Sequence, residues 1–183
     1  MRDIMEKAAA IKLVIFDVDG VLTDGSLYYG HDGREYKVFH SRDGHGMKML
    51  QASGVKIAII TARNSQAVTH RMANLGIEHV YQGQLEKLPA YKELIAKLGL
   101  HSGEVAYVGD DLVDLPIMIR TSLAIAVQDA HPVVKKHSHW TTPSLGGHGA
   151  ARDVCELIME AQGSLDVRIK AYLAPDEDVF TGR

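Results

Sequence analysis

The chain contains a single cysteine, Cys155, and no long hydrophobic run. One thiol excludes an internal disulfide framework and fits a reducing cytoplasm, and its apolar helical setting indicates a buried side chain. Residues 1–10 mix charged and apolar side chains, so they lack the continuous apolar core of a signal peptide and favour a short helix. No later run approaches the length of a membrane span. We therefore expect a soluble, cytoplasmic protein with no membrane partner.

The chain also lacks an excess of either charge, internal repeats and low-complexity tracts. Its net charge of −3 leaves no basic footprint, so we expect no nucleic-acid partner. A chain of 183 residues fits one domain that buries roughly 70% of its unfolded surface. We assign residues 1–163 to this domain and residues 164–183 to a tail. The tail is apolar at first and then acidic, and we expect residues 174–183 to be mobile.

Strand patterns alternate with helical patterns along the domain. Short apolar runs predict buried strands at residues 11–16, 55–60, 79–81, 104–108 and 123–127. Among the helices between them, one is expected to begin at the cap residue Asn64 and to stop at Gly76, and another to cover residues 112–120. This alternation predicts an α/β fold with a parallel sheet between two layers of helices. No segment between the first and fifth strands is large enough for a separate cap domain.

Residues 26–40 predict a projecting β-hairpin just after the first strand. The arms 27–29 and 35–39 are rich in β-prone residues, and Asp32-Gly33 between them is a strong hairpin signal. A simple two-stranded extension of the main sheet is the alternative. Because so small a hairpin is marginally stable by itself, we expect it to pack on another subunit.

Two carboxylates follow the first strand, at Asp17 and Asp19. Open α/β sheets bind their ligands at the carboxyl ends of the strands, and residues i and i+2 of an extended chain face the same side. This spacing suits Asp17 as a nucleophile and Asp19 as an acid that protonates the leaving group and later takes a proton from water. The alternative is a polar turn, because Asp and Gly are common turn residues.

Polar side chains also follow the other predicted strands. Thr61 ends the second strand, Lys87 begins the helix after the third, and Asp110, Asp111 and Asp114 follow the fourth. Each residue alone also fits an ordinary role as a helix start, a surface lysine or a turn. Together they fit phosphoryl transfer, which needs a nucleophile, a proton donor, cations and oriented donors around the phosphoryl oxygens.

Carboxylates alone would repel a phosphate, and Mg²⁺ removes this difficulty because it is a hard ion that takes oxygen ligands. We predict that Asp17, the backbone carbonyl of Asp19 and Asp110 bind the ion. Asp111 and Asp114 would support these ligands. Thr61 would donate a hydrogen bond to a phosphoryl oxygen, and Lys87 would neutralise charge on the phosphate and on the nucleophile.

The strand ends together resemble a known family. The hydrophobic strand followed by Asp17-Val18-Asp19-Gly20-Val21-Leu22-Thr23-Asp24 resembles the first signature of the haloacid-dehalogenase-like (HAD) phosphatases, and the later strand ends match the other signatures in order. A wider set resembles the capless HAD subfamily that hydrolyses 3-deoxy-D-manno-octulosonate 8-phosphate (KDO 8-phosphate), over residues 11–163. That set comprises Arg42-Asp43-Gly44-His45-Gly46, Ile59-Ile60-Thr61-Ala62-Arg63, Tyr81-Gln82-Gly83-Gln84, Tyr107-Val108-Gly109-Asp110-Asp111, Asp129-Ala130-His131-Pro132 and Gly146-Gly147-His148-Gly149-Ala150.

The resemblance implies a HAD-like Rossmannoid three-layer sandwich without a cap. It implies Mg²⁺-dependent hydrolysis of KDO 8-phosphate through an aspartyl-phosphate, in the lipopolysaccharide precursor pathway. It also implies a homotetramer in which a neighbour's hairpin helps to cover each active site. By position it assigns substrate contacts to Asp19, His40, Ser41, Arg42, Asp43, Gly44, Lys48, Arg63, Arg71 and Lys87. Arginine and lysine suit a substrate with a carboxylate at one end and a phosphate at the other.

Three positions depart from the family pattern. Lys48 and His148 stand where the family often has arginine, and His40 stands where it often has asparagine or a similar residue. Lys48 keeps the charge but loses the bidentate fork, and a neutral His148 would make anion recognition weaker or pH-dependent. The pair His137 and His139 lacks a metal-binding spacing and predicts a surface or strand-edge feature.

Two alternatives to the implied function stay open. One is a related capless phosphatase for a nine-carbon sialic-acid-type 9-phosphate, although Arg63 favours the eight-carbon sugar. The other is a non-catalytic binding module on the same fold, since a fold does not guarantee activity. The presence of both Asp17 and Asp19 argues against it.

Overall fold

The structure, a computed structural model, describes residues 1–173. Its strands are β1 (Leu13–Phe16), β2 (Tyr28–Tyr29), β3 (Glu35–Tyr36), β4 (Lys56–Ile60), β5 (His79–Tyr81), β6 (Val105–Gly109), β7 (Leu123–Ala126) and β8 (Trp140–Thr141). Its α-helices are α1 (Arg2–Ala9), α2 (Ser41–Ala52), α3 (Gln66–Leu75), α4 (Lys87–Leu98), α5 (Leu115–Met118), α6 (Pro132–Lys136), α7 (Ala150–Ala161) and α8 (Leu165–Leu173). Short 3₁₀ helices cover Ser102–Glu104 and Leu112–Asp114.

Six strands form one parallel sheet in the order β5-β4-β1-β6-β7-β8. The central strand β1 pairs with β4 and β6, and all four of its residues are buried, which explains its continuous apolar run. The five strands predicted from the sequence are confirmed. The sixth strand, β8, has two residues and is too short to show a periodic pattern.

Helices cover both faces of the sheet. In one group of contacts, α2 packs on α3 and α7, and α7 also packs on α1 and α8; in another, α4 packs on α5. The chain moves outward from β1 through β4 to β5 and then returns to β6. Because parallel crossovers are almost always right-handed, this order assigns the two groups to opposite faces of the sheet. The structure therefore confirms the predicted three-layer α/β sandwich.

Local details differ at two predicted helices. The cap residue of α3 is Ser65 instead of Asn64, because the extended backbone of Ser65 places its N–H 2.7 Å from the Gln82 side-chain oxygen and the helix begins only at Gln66. The single helix expected over residues 112–120 is a 3₁₀ turn followed by α5. Gly76 ends α3 in the left-handed conformation, as its position predicted.

The predicted hairpin is confirmed as a separate two-stranded antiparallel sheet, with Tyr28 opposite Tyr36. Gly33 takes a positive φ of 78° at its turn, and the Asp32 carboxylate accepts a hydrogen bond from the backbone of Arg34. The hairpin is therefore not an extension of the main sheet. No separate cap domain occurs within residues 1–173.

The tail begins with the helix α8. Leu165 packs against the core, the Arg168 guanidinium donates to the backbone carbonyl of Ala52, and the Tyr172 ring meets the His45 ring edge-on at 5.5 Å. The expectation of mobility for residues 174–183 lies outside the described residues. In the part of the chain that is described, no helix combines the length and the apolar character needed to cross a bilayer.

Candidate active site

Acidic side chains meet at the carboxyl edge of the sheet because β1 and β6 are neighbours. Asp17 follows β1, and Asp110 and Asp114 follow β6. One carboxylate oxygen from each of the three lies within 4.8 Å of the others. Gly20 makes room for this cluster, since a Cβ atom there would stand 2.1 Å from Asp110 Oδ2. The predicted convergence of Asp17 with Asp110 is therefore present in the fold.

Lys87, in the first turn of α4, lies within this cluster. Its Nζ is 2.9 Å from Asp17 Oδ1 and 2.7 Å from Asp114 Oδ1, and its side chain is fully buried. Burial works to lower the pKa of Lys87, but the carboxylates of Asp17 and Asp114 together outweigh it and raise the pKa. Lys87 therefore contributes a fixed positive charge beside Asp17.

Asp114 uses both carboxylate oxygens to hold its neighbours. Oδ1 accepts hydrogen bonds from Lys87 Nζ and, at 2.6 Å, from the Tyr107 hydroxyl. Oδ2 accepts from the backbone N–H groups of Asp110 at 3.0 Å and Asp111 at 3.3 Å. Four donors saturate this buried carboxylate, so it orients Lys87 and the loop after β6 instead of offering an oxygen to a ligand.

Tyr107 is a site residue that the sequence reasoning missed. It lies in the buried strand β6, where its phenol is completely enclosed. Burial, followed by the charge of Asp114, raises its pKa well above the ordinary value, so the hydroxyl keeps its proton and donates it in a hydrogen bond. A hydroxyl-bearing side chain inside an otherwise aliphatic strand is the signal that could have revealed it, because buried polar groups need partners.

Asp17 and Asp110 have fewer partners than Asp114. Asp110 Oδ1 is buried with no partner, and Asp17 Oδ1 has only its ion-pair contact with Lys87. Burial, followed by the charge of Asp114, raises the pKa of Asp17 to about 7. Burial, followed by the charges of Asp114 and Asp17, raises the pKa of Asp110 to about 8. This surplus of buried carboxylate oxygen fits a hard divalent cation such as Mg²⁺.

Thr61 lies on the same edge of the sheet, directly after β4. It is buried, its N–H donates to the carbonyl of Tyr81, and its own carbonyl accepts from the N–H of Gln84. Because β4 is hydrogen-bonded to β1, these contacts hold Thr61 at the edge where Asp17 also stands. The structure thus brings the four predicted strand ends together.

The hairpin brings charged groups to the other side of Asp19. Lys37 Nζ pairs with Asp19 Oδ1 and lies 3.5 Å from Glu35 Oε1. Arg63 donates to Glu35 Oε1 at 2.9 Å and also to the Tyr29 hydroxyl. Glu35 and Lys37 were not among the predicted site residues. The period-2 pattern of the hairpin arm 35–39 could have found them, since it places Glu35 and Lys37 on one face of the extended chain.

The predicted contacts on α2 divide into two groups. Ser41, Arg42 and Lys48 are exposed, and His40 is half-buried with its ring 6.5 Å from that of His148. Asp43 instead points into the protein, where its carboxylate accepts hydrogen bonds from the backbone N–H groups of Gly149 and Arg152 at 3.3 and 2.9 Å. Asp43 therefore caps the start of α7, a structural role that the sequence did not predict.

Gly44 and Arg71 fit together beside this turn. A Cβ atom on Gly44 would lie 2.2 Å from the Arg71 guanidinium, so glycine lets Arg71 approach the start of α2. The guanidinium lies 5.8 Å from the centre of the Phe39 ring.

Asp111 is exposed and its carboxylate accepts from the N–H of Leu112, so it caps the 3₁₀ turn and reaches the cluster only through its backbone.

This fold and this acidic edge with its buried lysine are those of the haloacid dehalogenase-like hydrolases. Residues 78–152 match the family described as haloacid dehalogenase-like hydrolase. The KDO 8-phosphate phosphatase of Escherichia coli (strain K12) is 48% identical over 164 residues, which cover 90% of this chain and 87% of that relative. The chain belongs to the 3-deoxy-D-manno-octulosonate 8-phosphate phosphatase family.

Solved structures agree with this assignment. The Yersinia pestis KDO 8-phosphate phosphatase superposes with a TM-score of 0.89 at 48% identity, covering 90% of this chain and 89% of that one. The Moraxella catarrhalis enzyme, solved with a magnesium ion, a phosphate ion and KDO, superposes with a TM-score of 0.92 at 42% identity, covering 94% and 99%. The predicted family and the predicted fold are confirmed.

Proposed function

We propose that this protein is a Mg²⁺-dependent phosphatase that hydrolyses KDO 8-phosphate to KDO and inorganic phosphate, in the synthesis of lipopolysaccharide precursors. The observation that carries the proposal is the pairing of Asp17 with the charged Lys87, next to the unpartnered oxygen of Asp110. A nucleophile beside a fixed cation and a cation-binding oxygen is what phosphoryl transfer needs. The identity of the substrate is inferred from the relatives named above.

The proposed reaction has two steps. A carboxylate oxygen of Asp17 attacks phosphorus, the bond from phosphorus to the sugar oxygen breaks, and that oxygen takes its electron pair and a proton from Asp19. Water then attacks the phosphoryl group of the aspartyl-phosphate while Asp19 takes a proton from the water. The bond from phosphorus to Asp17 breaks, phosphate leaves, the Asp17 carboxylate is restored, and Asp19 again holds a proton in place of the one that it donated.

The supporting groups act on charge and orientation. Thr61 donates a hydrogen bond to a phosphoryl oxygen, and Lys87 offsets the charge that gathers on the phosphate and on Asp17. Mg²⁺, held by Asp17, the backbone carbonyl of Asp19 and Asp110, would draw charge from the phosphoryl oxygens. Asp114 orients Lys87 through its 2.7 Å contact, and the Asp111 backbone N–H helps to fix Asp114.

The sugar end of the substrate is proposed to lie over the start of α2. His40, Ser41 and Arg42 form that edge, while Asp43 and Gly44 hold it in place from below. Three cations, Lys48, Arg63 and Arg71, are proposed to receive the carboxylate and hydroxyl groups of the sugar. Arginine binds a carboxylate through two parallel hydrogen bonds, whereas Lys48 offers a point charge.

Assembly and location are also proposed. We propose a homotetramer in which the hairpin covers a neighbouring active site, because the hairpin exposes Leu27, Tyr28, Tyr29, Tyr36 and Val38, and exposed apolar patches mark interaction surfaces. Residues 1–163 would form the catalytic domain of each subunit, in the cytoplasm, where a free buried thiol at Cys155 stays reduced. Light scattering of the purified protein tests the subunit number, and a monomer would contradict it.

The activity test compares two esters. Phosphate release is measured from KDO 8-phosphate and from sialic acid 9-phosphate in parallel, with Mg²⁺ or with EDTA, using Asp17→Asn as the blank. Magnesium-dependent turnover of the eight-carbon ester is expected. Preference for the nine-carbon ester would overturn the substrate but keep the mechanism, and release no faster than that of Asp17→Asn from either ester would overturn the function.

A further inference from the structure

We propose that Lys37 is a positioning residue for Asp19, supplied by the hairpin to the active site of its own chain. The inference rests on the proposed function, in which Asp19 transfers the proton. It gives the hairpin a role inside its own subunit, in addition to any contact with a neighbour. The hairpin arm would then fix the geometry of the proton-transfer step.

The first observation is how the second arm of the hairpin divides its side chains. Glu35 and Lys37 point inward, with 13% and 1% of their side chains exposed, whereas Tyr36 and Val38 are 56% and 63% exposed. Lysine is almost never fully buried unless it is paired. The extended arm therefore turns both of its charged residues toward the site and both of its apolar residues toward solvent. This orientation indicates that the charged residues have a role in the site.

The second observation is a closed set of four charges. Lys37 pairs with Asp19 and contacts Glu35, and Arg63 pairs with Glu35 while its Nε lies 3.9 Å from Asp19 Oδ2. Two cations therefore face two carboxylates. Removing Lys37 alone would leave Asp19 without its close partner, and such a break costs more than removal of an exposed pair.

The third observation concerns the two oxygens of Asp19. Oδ1 is held by Lys37, whereas the 3.9 Å between Oδ2 and Arg63 exceeds hydrogen-bonding distance. With Oδ1 anchored, Oδ2 is the oxygen that can exchange a proton with the sugar oxygen. Lys37 thus limits rotation of the carboxylate and selects the reacting oxygen, and such orientation contributes to rate when a proton must pass at the moment of bond cleavage.

Variants at Lys37 test this role. Lys37→Met keeps the apolar stem and removes the charge, and Lys37→Arg keeps a charge. Lys12→Met is the matched control, because Lys12 also forms a close ion pair, 2.6 Å from Glu104, but lies at the opposite end of β1 and is exposed. Melting temperatures of all three variants separate a folding defect from a catalytic one.

The discriminating measurement compares leaving groups. The sugar alkoxide of KDO 8-phosphate needs a proton as it leaves, whereas p-nitrophenolate does not. For Lys37→Met we expect kcat and kcat/KM with KDO 8-phosphate to fall about 100-fold, the lower range for general acid catalysis, with KM nearly unchanged. With p-nitrophenyl phosphate, kcat/KM should stay close to the wild-type value. Lys37→Arg should recover most of the loss, and Lys12→Met should show none.

Other results would overturn the proposal. Equal losses with both esters would indicate a general structural role, a raised KM with unchanged kcat would indicate a substrate contact, and no loss would exclude any role. A double-mutant cycle adds an independent arm: in an Asp19→Asn background, Lys37→Met should cause no further loss with either ester. An additional loss there would show that Lys37 does not act through Asp19. If the wild type fails to hydrolyse KDO 8-phosphate, the proposed function fails instead.

Discussion

Within residues 1–173, four aspartates with buried or half-buried side chains can be divided into two pairs. Asp43 and Asp114 have hydrogen-bond donors on both oxygens, from the start of α7 in one case and from Lys87, Tyr107 and the loop after β6 in the other. Asp110 is half-buried and keeps a buried oxygen without a donor, and the Oδ1 of the buried Asp17 contacts only the Lys87 ammonium.

We infer from this difference that hydrogen-bond donors, more than burial, separate carboxylates with a structural role from those proposed to react. A saturated carboxylate stabilises the segments that donate to it. An unsaturated one carries a cost that a bound cation removes. Burial, followed by the charge of Asp114, raises the pKa values of Asp17 and Asp110 to about 7 and about 8. On this criterion Asp114 belongs with the structural pair despite its place in the acidic cluster.

The largest expected effect concerns the unsaturated pair. Asp110→Asn should raise the Mg²⁺ concentration for half-maximal activity by at least about 10- to 100-fold, the range found for groups that only support a metal ligand. Asp111→Asn is the matched control, because its exposed side chain only caps a 3₁₀ turn and should change that concentration little. Magnesium titration of phosphate release measures both. Equal responses would contradict the assignment of Asp110 as a ligand.

Removing one of the four hydrogen-bond donors to Asp114 should lower the stability of the protein. Tyr107→Phe deletes the hydroxyl that donates at 2.6 Å, and we expect a loss of about 1 kcal/mol in unfolding free energy. In the control Tyr91→Phe, the deleted hydroxyl is buried without a partner, so its loss should cost little or stabilise the protein. Urea unfolding in EDTA compares the two, and a larger loss for Tyr91→Phe would refute the argument.

The cap formed by Asp43 can be tested in the same way. Asp43→Ala removes the acceptor for the N–H groups of Gly149 and Arg152, and we expect a loss of about 1–2 kcal/mol in stability. Asp24→Ala, which removes an exposed turn acceptor for Ser26, should cost less. An unchanged unfolding midpoint together with a raised KM would instead support the substrate contact that the family resemblance implied for Asp43.

The smallest expected effect concerns the pH dependence of stability and involves a histidine, His139, instead of a carboxylate. His139 Nδ1 accepts a hydrogen bond from the Ala124 N–H at 2.9 Å, and partial burial, followed by the charge of Lys7, lowers the pKa of His139 below 6.5. The unfolded chain therefore binds this proton more readily, so the stabilisation is complete above the ordinary histidine pKa and is lost as the pH falls through the lowered one.

His139→Asn keeps an acceptor and cannot titrate, so it provides the reference. Urea midpoints at about pH 7.5 and about pH 5.5 should fall further with acid in the wild type than in His139→Asn. The carboxyl groups with raised pKa values are present in both proteins, so their contribution to the pH dependence cancels in this difference. A parallel change in both proteins would exclude His139 as the cause.

Sequence by itself determined the local parts of this protein. The run 11–16, the Asp-Gly turn of the hairpin and Gly76 at the end of α3 were each predictable, because periodicity and backbone conformation depend on neighbouring residues. The order of polar strand ends also indicated Asp17, Thr61, Lys87 and Asp110 as one site, since parallel strands end at a common edge.

Tertiary structure alone decided which polar groups became partners. The donors to Asp43 stand 106 and 109 residues along the chain, and Lys37 reaches Asp19 only because the hairpin folds back toward the loop after β1. No local pattern encodes these pairs, because each donor is delivered by a separate element. Whether a carboxylate is saturated or free for chemistry therefore depends on the packing of distant segments, and that packing distinguishes Asp43 from Asp17.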